Sequence, residues 1–403
     1  MRFLECVDLN PKIVMTKGQI YPFVEMANVS TCYRSPDKVD TKPFDSGVKF
    51  QDGDTVIARI TPCLQNGKRF YCQNIGTGFG STEYLVFRPK DDTVDSKYLY
   101  YFMMTDFVKQ SMINSMTGAT GRQRVNNDVF NDIEVCFPDI DIQRKIGDIL
   151  SAYDNLIENN QKQIKLLEEA AQRLYKEWFV DLRFPGYENT PIVDGVPEGW
   201  TRKTVLDCLV LHIGGGWGKE SPVGKNTIKG KVIRGTDIND VKSGNYNDIP
   251  FRYHTENDIK KRALKANDIV FELSNGNINN IGRCLLIDDL ILRNCGGNTI
   301  CASFCKLFRP LDRIHALTLY WEIQDMQSSG RMLPYKKQGA NGINNFAFED
   351  FLSHELLVPD DESLLKPLED IMRKMSDIQS QFALLIQARD RLLPKLMSGE
   401  IEV

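Results

Sequence analysis

Apolar residues follow two rhythms along this chain, and the rhythms alternate. Up to about residue 138 they come in short runs such as "TVIARI" and "EYLVFRP". These runs are rich in β-branched and aromatic side chains and are separated by turn clusters such as "QNGK", which predicts short strands. After Pro138 the period changes. Ile142, Ile146, Ile149, Tyr153, Leu156, Asn160, Leu167, Ala171, Leu174 and Trp178 recur mostly in steps of three and four, and no glycine or proline interrupts Asp148–Leu182. That spacing predicts a long helix with a coiled-coil seam. The strand rhythm then returns in "DIVFEL" and "TICASFCKLF", broken by "SNGN". The helical rhythm returns at Leu364, Leu368, Ile371, Met375, Ile378, Phe382, Leu385, Arg389, Leu392 and Leu396. Pro394 is expected to bend or close this second helix, and Gly399 to cap it. Each half also carries one shorter helical stretch, "SKYLYYFMMTDFVKQSM" or "IHALTLYWEIQDMQ".

The two halves are copies. "GATGRQRVNNDVFNDIEVCFP" from Gly118 and "GANGINNFAFEDFLSHELLVP" from Gly339 align without a gap. Gly118/Gly339, Ala119/Ala340, Gly121/Gly342, Phe130/Phe351, Glu134/Glu355 and Pro138/Pro359 coincide, while Arg122, Gln123 and Arg124 face Ile343, Asn344 and Asn345. "FRP" recurs at the same offset of 221, at Phe87 and Phe308; Asp54 aligns with Asp268 at 214, and Pro22 with Lys231 at 209. An offset that grows in steps is what loop insertions between retained strands produce. The frame is kept and the contents differ.

Together these patterns give an α+β chain. Two β-rich globular domains in pseudo-two-fold repeat, at 1–140 and 185–360, alternate with long helices at 141–184 and 361–403. A helix of about 40 residues reaches about 60 Å. That is too long to pack on one small domain, so the helices are expected to pair as an antiparallel coiled coil and separate the copies. Asn160 and Arg389 fall on the seam, either as tolerated polar residues or as register markers. Trp178, Phe179 and Leu182, at the end of the first helix, are expected in a core rather than on a partner surface. A two-fold spacer carrying two readers suits a bipartite duplex target, because half-sites mirror protein symmetry.

Composition narrows the class. The net charge of −4 argues against a basic nucleic-acid coat protein but leaves room for local basic patches. No apolar run approaches the roughly 20 residues that span a bilayer, and the first residues lack a signal peptide's apolar core, so a cytoplasmic location is expected. The ten cysteines are scattered. Cys284, Cys295, Cys301 and Cys305 form the densest group, with no C-x-x-C pair, so buried reduced thiols are favoured over zinc. "NTICASFCKLF" alternates like one strand, which would place Cys301 and Cys305 on one face with Leu307.

The stretches "GATGRQRVNNDVFNDIEVCFPDIDIQRKIGDILSAYDNLIENN", "LLEEAAQRLYKEWFVDLRFP", "VDGVPEGWTRKTVLDCL" and "IQARDRLLPKLMSGEIEV", in this order, resemble a specificity subunit of a type I restriction–modification enzyme. The first copy departs from that pattern in lacking the Pro-x-Gly-Trp opening found at Pro197–Trp200. The resemblance implies two target-recognition domains that each read half of a split, asymmetric double-stranded DNA sequence. It implies helices that space the readers and bind two modification (methyltransferase) subunits. S-adenosylmethionine would sit in that partner, which methylates adenine. ATP and magnesium would serve a restriction subunit if one joins. This chain would hold no cofactor, no metal and no catalytic centre, and would meet no membrane.

The catalytic motifs that would contradict this are missing or broken. "GGGWGKE" at Gly214–Glu220 has Glu220 where a P-loop needs Ser or Thr. "GTGFG" at Gly76–Gly80 opens a strand, so no helix N-terminus faces a phosphate. "DTK" at Asp40–Lys42 is a triplet that chance supplies. No Asn- or Asp-Pro-Pro-aromatic tetrapeptide is present.

Phosphates need Lys, Arg and backbone amides, and base edges need side chains with paired donors or acceptors. In the first copy the candidates are Arg59, Gln65, Asn66, Lys68 and Arg69 between strands, and Arg122, Gln123 and Arg124 on a later loop. In the second they are Asn275, Asn277, Asn279 and Arg283; Lys219, Lys225, Lys229, Lys231 and Arg234; and Tyr335, Lys336, Lys337 and Asn341. Asn-Gly and Lys are also ordinary turn residues. The DNA reading draws on the matching places and differing contents of the loops. Two other classes fit the same outline. One is a scaffold whose globular domains bind proteins, which would show no salt-dependent DNA affinity. The other is a stand-alone DNA-modifying enzyme, which would bind S-adenosylmethionine or cut DNA with magnesium.

Overall fold

The computed structural model describes residues 1–119, 121–339 and 342–403. The chain divides into two compact units, Met1–Asn160 with Leu384–Val403, and Gln161–Ala383.

In the first unit, α1 (Phe3–Cys6) leads into β1 (Val7–Leu9), β2 (Ile20–Val24), β3 (Asp40–Pro43), β4 (Val48–Phe50), β5 (Thr55–Ala58), β6 (Arg69–Tyr71), β7 (Gly78–Gly80) and β8 (Tyr84–Pro89). They form two sheets, in the orders β1-β8-β5-β6 and β3-β2-β7-β4. The central strands read "TVIA" and "YLVF", and all of these residues are buried, as strands covered on both faces require. Their alternation sorts side chains into two cores. Ile57, Leu85 and Phe87 join Phe3 and Phe130 in one; Val56, Tyr84 and Val86 join Val24, Phe50 and Phe70 in the other. Then come α2 (Ser96–Phe102), N-capped by Asp95, α3 (Asp106–Asn114) and the long α4 (Ile140–Tyr175). The single helix expected here is split at Met103–Thr105.

The second unit takes in the last turns of α4 from Gln161, then the hairpin β9 (Ile192–Val193) and β10 (Val196–Pro197), β11 (Trp200–Thr204), β12 (Leu209–Gly214), β13 (Ile228–Ile233), α5 (Ile238–Lys242), β14 (Phe251–His254), α6 (Glu256–Arg262), β15 (Ile269–Glu272), β16 (Ser274–Asn275), β17 (Cys284–Leu286) and α7 (Asp289–Cys295). It continues with β18 (Ile300–Cys301), β19 (Cys305–Pro310), α8 (Arg313–Ser329), β20 (Lys336–Lys337), β21 (Asn344–Phe346), α9 (Phe348–Leu352), β22 (Glu355–Pro359) and α10 (Lys366–Met397).

Its main sheet, β12-β19-β15-β17, has the order of β1-β8-β5-β6, and β14-β13-β18 matches β3-β2-β7. One pair in each second sheet is parallel: Phe23 opposite Phe79, and Val232 opposite Ile300. Those partners stand 209 and 221 positions apart between the copies, two of the offsets seen in the sequence. The "FRP" arginines also repeat their role. Arg88 pairs with fully buried Asp54 at 2.6 Å, and Arg309 with Asp268 at 2.7 Å. Asp54 Oδ2 accepts from the Gln51 amide and Asp268 Oδ2 from the Lys265 amide, so each pair fixes the turn that enters a central strand.

Several expectations shift in detail. "NTICASFCKLF" is not one strand: β18 ends at Cys301 and β19 begins at Cys305, although Cys301, Cys305 and Leu307 do share a core. Pro394 does not end α10, which runs on to Met397; Pro falls in the last turn, and Gly399 follows at φ +74°. The buried stripe of α4 runs through Ile146, Leu150, Ile157, Ile164, Ala171 and Tyr175, while the expected seam residues Ile142 and Leu156 are exposed. Phe179 is core, with Trp178 and Leu182 packed against the same cluster. In the first unit the segments of α4 and α10 run antiparallel: Asp154 meets Arg389 at 2.6 Å, while Ile146 and Leu150 cluster with Leu393 and Leu396. No disulfide joins the described cysteines. Burial pushes the Cys284 and Cys295 thiols up to about 11 and Cys301 up to about 12. Among the described residues no helix is long and apolar enough to cross a membrane.

Candidate nucleic-acid interface

In the first unit three loops meet beside the end of β5. They are the segment after Ala58, the turn before Tyr84 and the stretch from Thr117 to Val125. The Arg59 amide donates to Glu83 O at 2.8 Å, and the Val125 amide to Arg59 O at 2.9 Å. Thr61 and Gln123 bond in both directions through the Thr61 hydroxyl and their backbones. In the second unit the Leu273 amide donates to Phe304 O, and the Phe346 amide to Leu273 O, each at 2.9 Å. These are the same bonds at the offsets of 214 and 221. The bridge Ile60–Arg124 likewise recurs as Ser274–Asn345 in the β16–β21 pair. The two backbone frames therefore share these bonds, and the side chains they present differ.

The first frame is charged. Arg124, 49% exposed, forks onto Glu83 with three hydrogen bonds of 2.7–2.9 Å. That bond holds the Glu83 carboxyl below its ordinary range. Arg122 is exposed and, among the described residues, makes no side-chain bond; Gln123 is half-buried. Gln65 and Asn66 are exposed on the first loop. Arg59 donates to Val125 O and Arg69 to Gly67 O, and the Nε of each is buried without a partner among the described residues.

Lys68 and Arg283 turn out to be counterparts. Lys68 Nζ donates to Met26 O at 2.7 Å, and Arg283 Nη2 to Gly235 O at 2.9 Å. Both carbonyls follow the first strand of the second sheet, so each side chain ties one sheet to the other.

The second frame is richer in amides and apolar groups. "SNGNINN" writes consecutive Asx turns: Asn275 Oδ1 accepts from the Asn277 amide, and Asn277 Oδ1 from the Asn279 amide. Asn279 O accepts from Lys336 Nζ, whose pKa burial lowers. Lys337 is exposed, 3.4 Å from Asp350. The Tyr335 ring packs on Phe346 and Phe351. Asn341 lies outside the described residues.

The basic stretch lies around β13 and β14, and its Arg234 lines a cavity together with Asn275. Lys219, Lys225 and Lys229 are exposed. Lys229 and Lys231 lie over the Phe251 ring at 4.6 and 5.6 Å, and Arg252 over Trp217 at 4.6 Å. Lys231 also bonds two backbone carbonyls, and Arg234 is committed to Asp237.

The sequence reading missed a cavity of about 560 Å³ in the second unit. Trp217, Phe304 and Ile343 stand at its wall, 40%, 60% and 47% exposed, with Glu272 and Asn275 also lining it. A signal was available: Ile343 faces Arg122, and Phe304 faces Glu83, at the offset of 221. Among the described residues no group of three or more His, Cys, Asp or Glu is placed to hold a metal ion.

Residues 12–169 match the family model described as the type I restriction modification DNA specificity domain. The specificity subunit of the type I restriction enzyme MjaIX from Methanocaldococcus jannaschii is 25% identical over 338 residues, 78% of this chain and 71% of that protein. The EcoAI specificity subunit from Escherichia coli is 29% identical over 203 residues, 48% of this chain but only 33% of its own length. Among solved structures, the S subunit of a type I restriction–modification system from M. genitalium shares the fold, with a TM-score of 0.52 at 14% identity over 98% of this chain and 95% of that one.

Proposed function

We propose that this chain, a type I restriction–modification specificity subunit by family, reads a bipartite, asymmetric DNA sequence and leaves the chemistry to partner subunits. One observation carries the reading: two loop frames that share a set of backbone bonds present different side chains. A structural duplication under no pressure to discriminate has no reason to keep the frame and change only its contents. Reading two unlike half-sites gives that reason, because sequence is read by the donors and acceptors that loops offer to base edges.

In the first domain Arg122, Arg124, Gln65 and Asn66 are the base- or phosphate-contacting candidates. In the second they are Asn277 and Asn279, with Lys219, Lys225 and Lys229 on phosphates. Arg59, Lys68, Arg69 and Arg283, which bond backbone carbonyls, act mainly by holding the frame. Two modification subunits that bind S-adenosylmethionine and methylate adenine are the proposed partners, joined by an ATP- and magnesium-dependent restriction subunit where the system has one.

The test is methylation mapping. Expressed with its modification subunit in a methylation-free host, the chain should direct methyladenine to two short specific parts around a fixed gap. A stable complex with no methylation, and with DNA affinity indifferent to salt, would favour the protein-binding scaffold instead.

A further inference from the structure

We propose that the cavity of the second domain reads the exocyclic amino group of one adenine or cytosine, with Glu272 as its acceptor. The inference rests on the DNA-reading function proposed above and gives one half-site a chemical identity.

Glu272 ends β15 and is 2% exposed, yet it lines the cavity. Its Oε2 accepts from Arg283 Nε at 2.9 Å, and its Oε1 from Asn275 Nδ2 at 2.7 Å. A carboxylate offers about four acceptor positions, so acceptor capacity remains on Oε1. The backbone makes room for that oxygen: a Cβ on Gly235, which also lines the cavity, would stand 2.0 Å from it. Arg283 balances the buried charge on Oε2, which leaves Oε1, with its one donor among the described residues, to face the cavity.

The shared frame does not require it. The counterpart of Glu272 is Ala58, also buried, and there Lys68 makes the inter-sheet bond with no carboxylate beside it. Glu272 is therefore an addition of the second copy, as are the rim residues Phe304 and Ile343 where the first copy has Glu83 and Arg122.

Apolar walls with a carboxylate among them suit a flat ring bearing an amino group. Glu accepts from cytosine N4, and adenine N6 offers the same donor. The amine arrives either on the groove edge of a paired base or on a base unstacked from the duplex; the acceptor chemistry is the same.

The experiment uses the full chain in complex with its modification subunit and duplexes carrying the mapped target. In the second half-site each adenine is replaced in turn by purine, and each cytosine by 2-pyrimidinone, which removes only the amino group. At one position this should weaken wild-type binding about tenfold or more. It should weaken Glu272→Gln far less, because the acceptor is already compromised. The first half-site should respond equally in both proteins, which also reports that the variant is folded. 2-Aminopurine beside that position should brighten if the base is unstacked and stay dim if it is paired, and either result accords with amine reading.

Equal losses in wild type and variant at every position would overturn the proposal. Phe304→Ala and Trp217→Ala, at exposed positions, keep it testable if Glu272→Gln does not fold. Each should lose affinity for the second half-site alone, and unchanged affinity in both would equally overturn it. A wild-type complex that prefers no duplex would instead remove the DNA-reading function itself.

Discussion

Replacing Arg389 with Met should destabilise the first unit severely and leave the second untouched. The guanidinium is 3% exposed and Asp154 is not exposed at all. Arg389 Nη1 lies 2.6 Å from Asp154 Oδ1 and 3.0 Å from Cys32 O, and Nη2 bonds Asp390 at 2.8 Å. Once the guanidinium is gone, the Tyr101 hydroxyl still donates to Asp154 Oδ2, but the cation in direct contact with the buried charge is lost, and Arg34, committed to Asn155 and Glu158, acts on it only from farther away. Breaking a buried pair from one side costs about 3–5 kcal/mol. For a unit of this size that lowers Tm by roughly 6–20 °C, at about 2–4 °C per kcal/mol. Asp154→Asn in the Arg389→Met background removes the stranded charge. The double variant should then be more stable than the sum of the singles by about 1–3 kcal/mol. Scanning calorimetry reads each unit's transition separately, as multidomain unfolding requires. A loss under about 1 kcal/mol for Arg389→Met, or strict additivity in the double variant, would refute the assignment of this pair as a buried lock.

Further outcomes can be checked in the same protein. Arg122→Ala with Arg124→Ala should weaken recognition of the first half-site and leave the second intact, read by methylation kinetics on targets altered in one half; most of the loss should come from Arg122, since Arg124 is tied to Glu83. The Glu83 carboxyl, lowered by the Arg124 hydrogen bond, should titrate below the ordinary value of 4.5 and return toward it in Arg124→Ala, followed by NMR. The sign follows from that depression: the stabilisation is complete above pH 4.5 and is lost as pH falls through the lower, folded value. DNA affinity should fall steeply with salt, by roughly 10³–10⁵ between 50 and 200 mM if about 6–10 phosphates are contacted. A flat salt response would remove the lysines around β13 and β14 from the interface.

Much of this was legible because a duplication carries its own register. The offsets of 209, 214 and 221 each correspond to a strand or bridge that both copies make, so alignment of the chain with itself already marked equivalent positions. Burial alternation in "TVIA" and "YLVF" marked central strands for the same reason. Interactions that depend on distant partners stayed hidden. Nothing in "GRQR" announces Glu83, which meets Arg124 across 41 residues. Nothing near Lys68 or Arg283 announces that each would bind a carbonyl of the other sheet rather than face solvent. Period alone placed the α4 seam only approximately: it found buried Asn160, but Gln143 and Asp154 also share the buried stripe with apolar residues while Leu156 does not. Arg234 and Asn275, both candidates from the sequence, line the cavity, but nothing in the sequence showed that they meet there with Trp217, Phe304 and Ile343, whose apolar side chains give no sign of nucleic-acid contact.

The first unit has a consequence for how the chain is made. Its core includes Leu393 and Leu396, packed with Tyr71, Tyr98 and Tyr101, and its buried Asp154 waits for Arg389, 235 residues later. On a ribosome adding about 5–20 residues per second, that wait is on the order of ten seconds or more. Through it the first unit holds an unpaired buried charge and an uncovered aromatic surface, while every segment of the second unit emerges ahead of the missing piece. The domain that begins first is therefore the last to finish folding, and the nascent chain depends longest on chaperone cover at its oldest end.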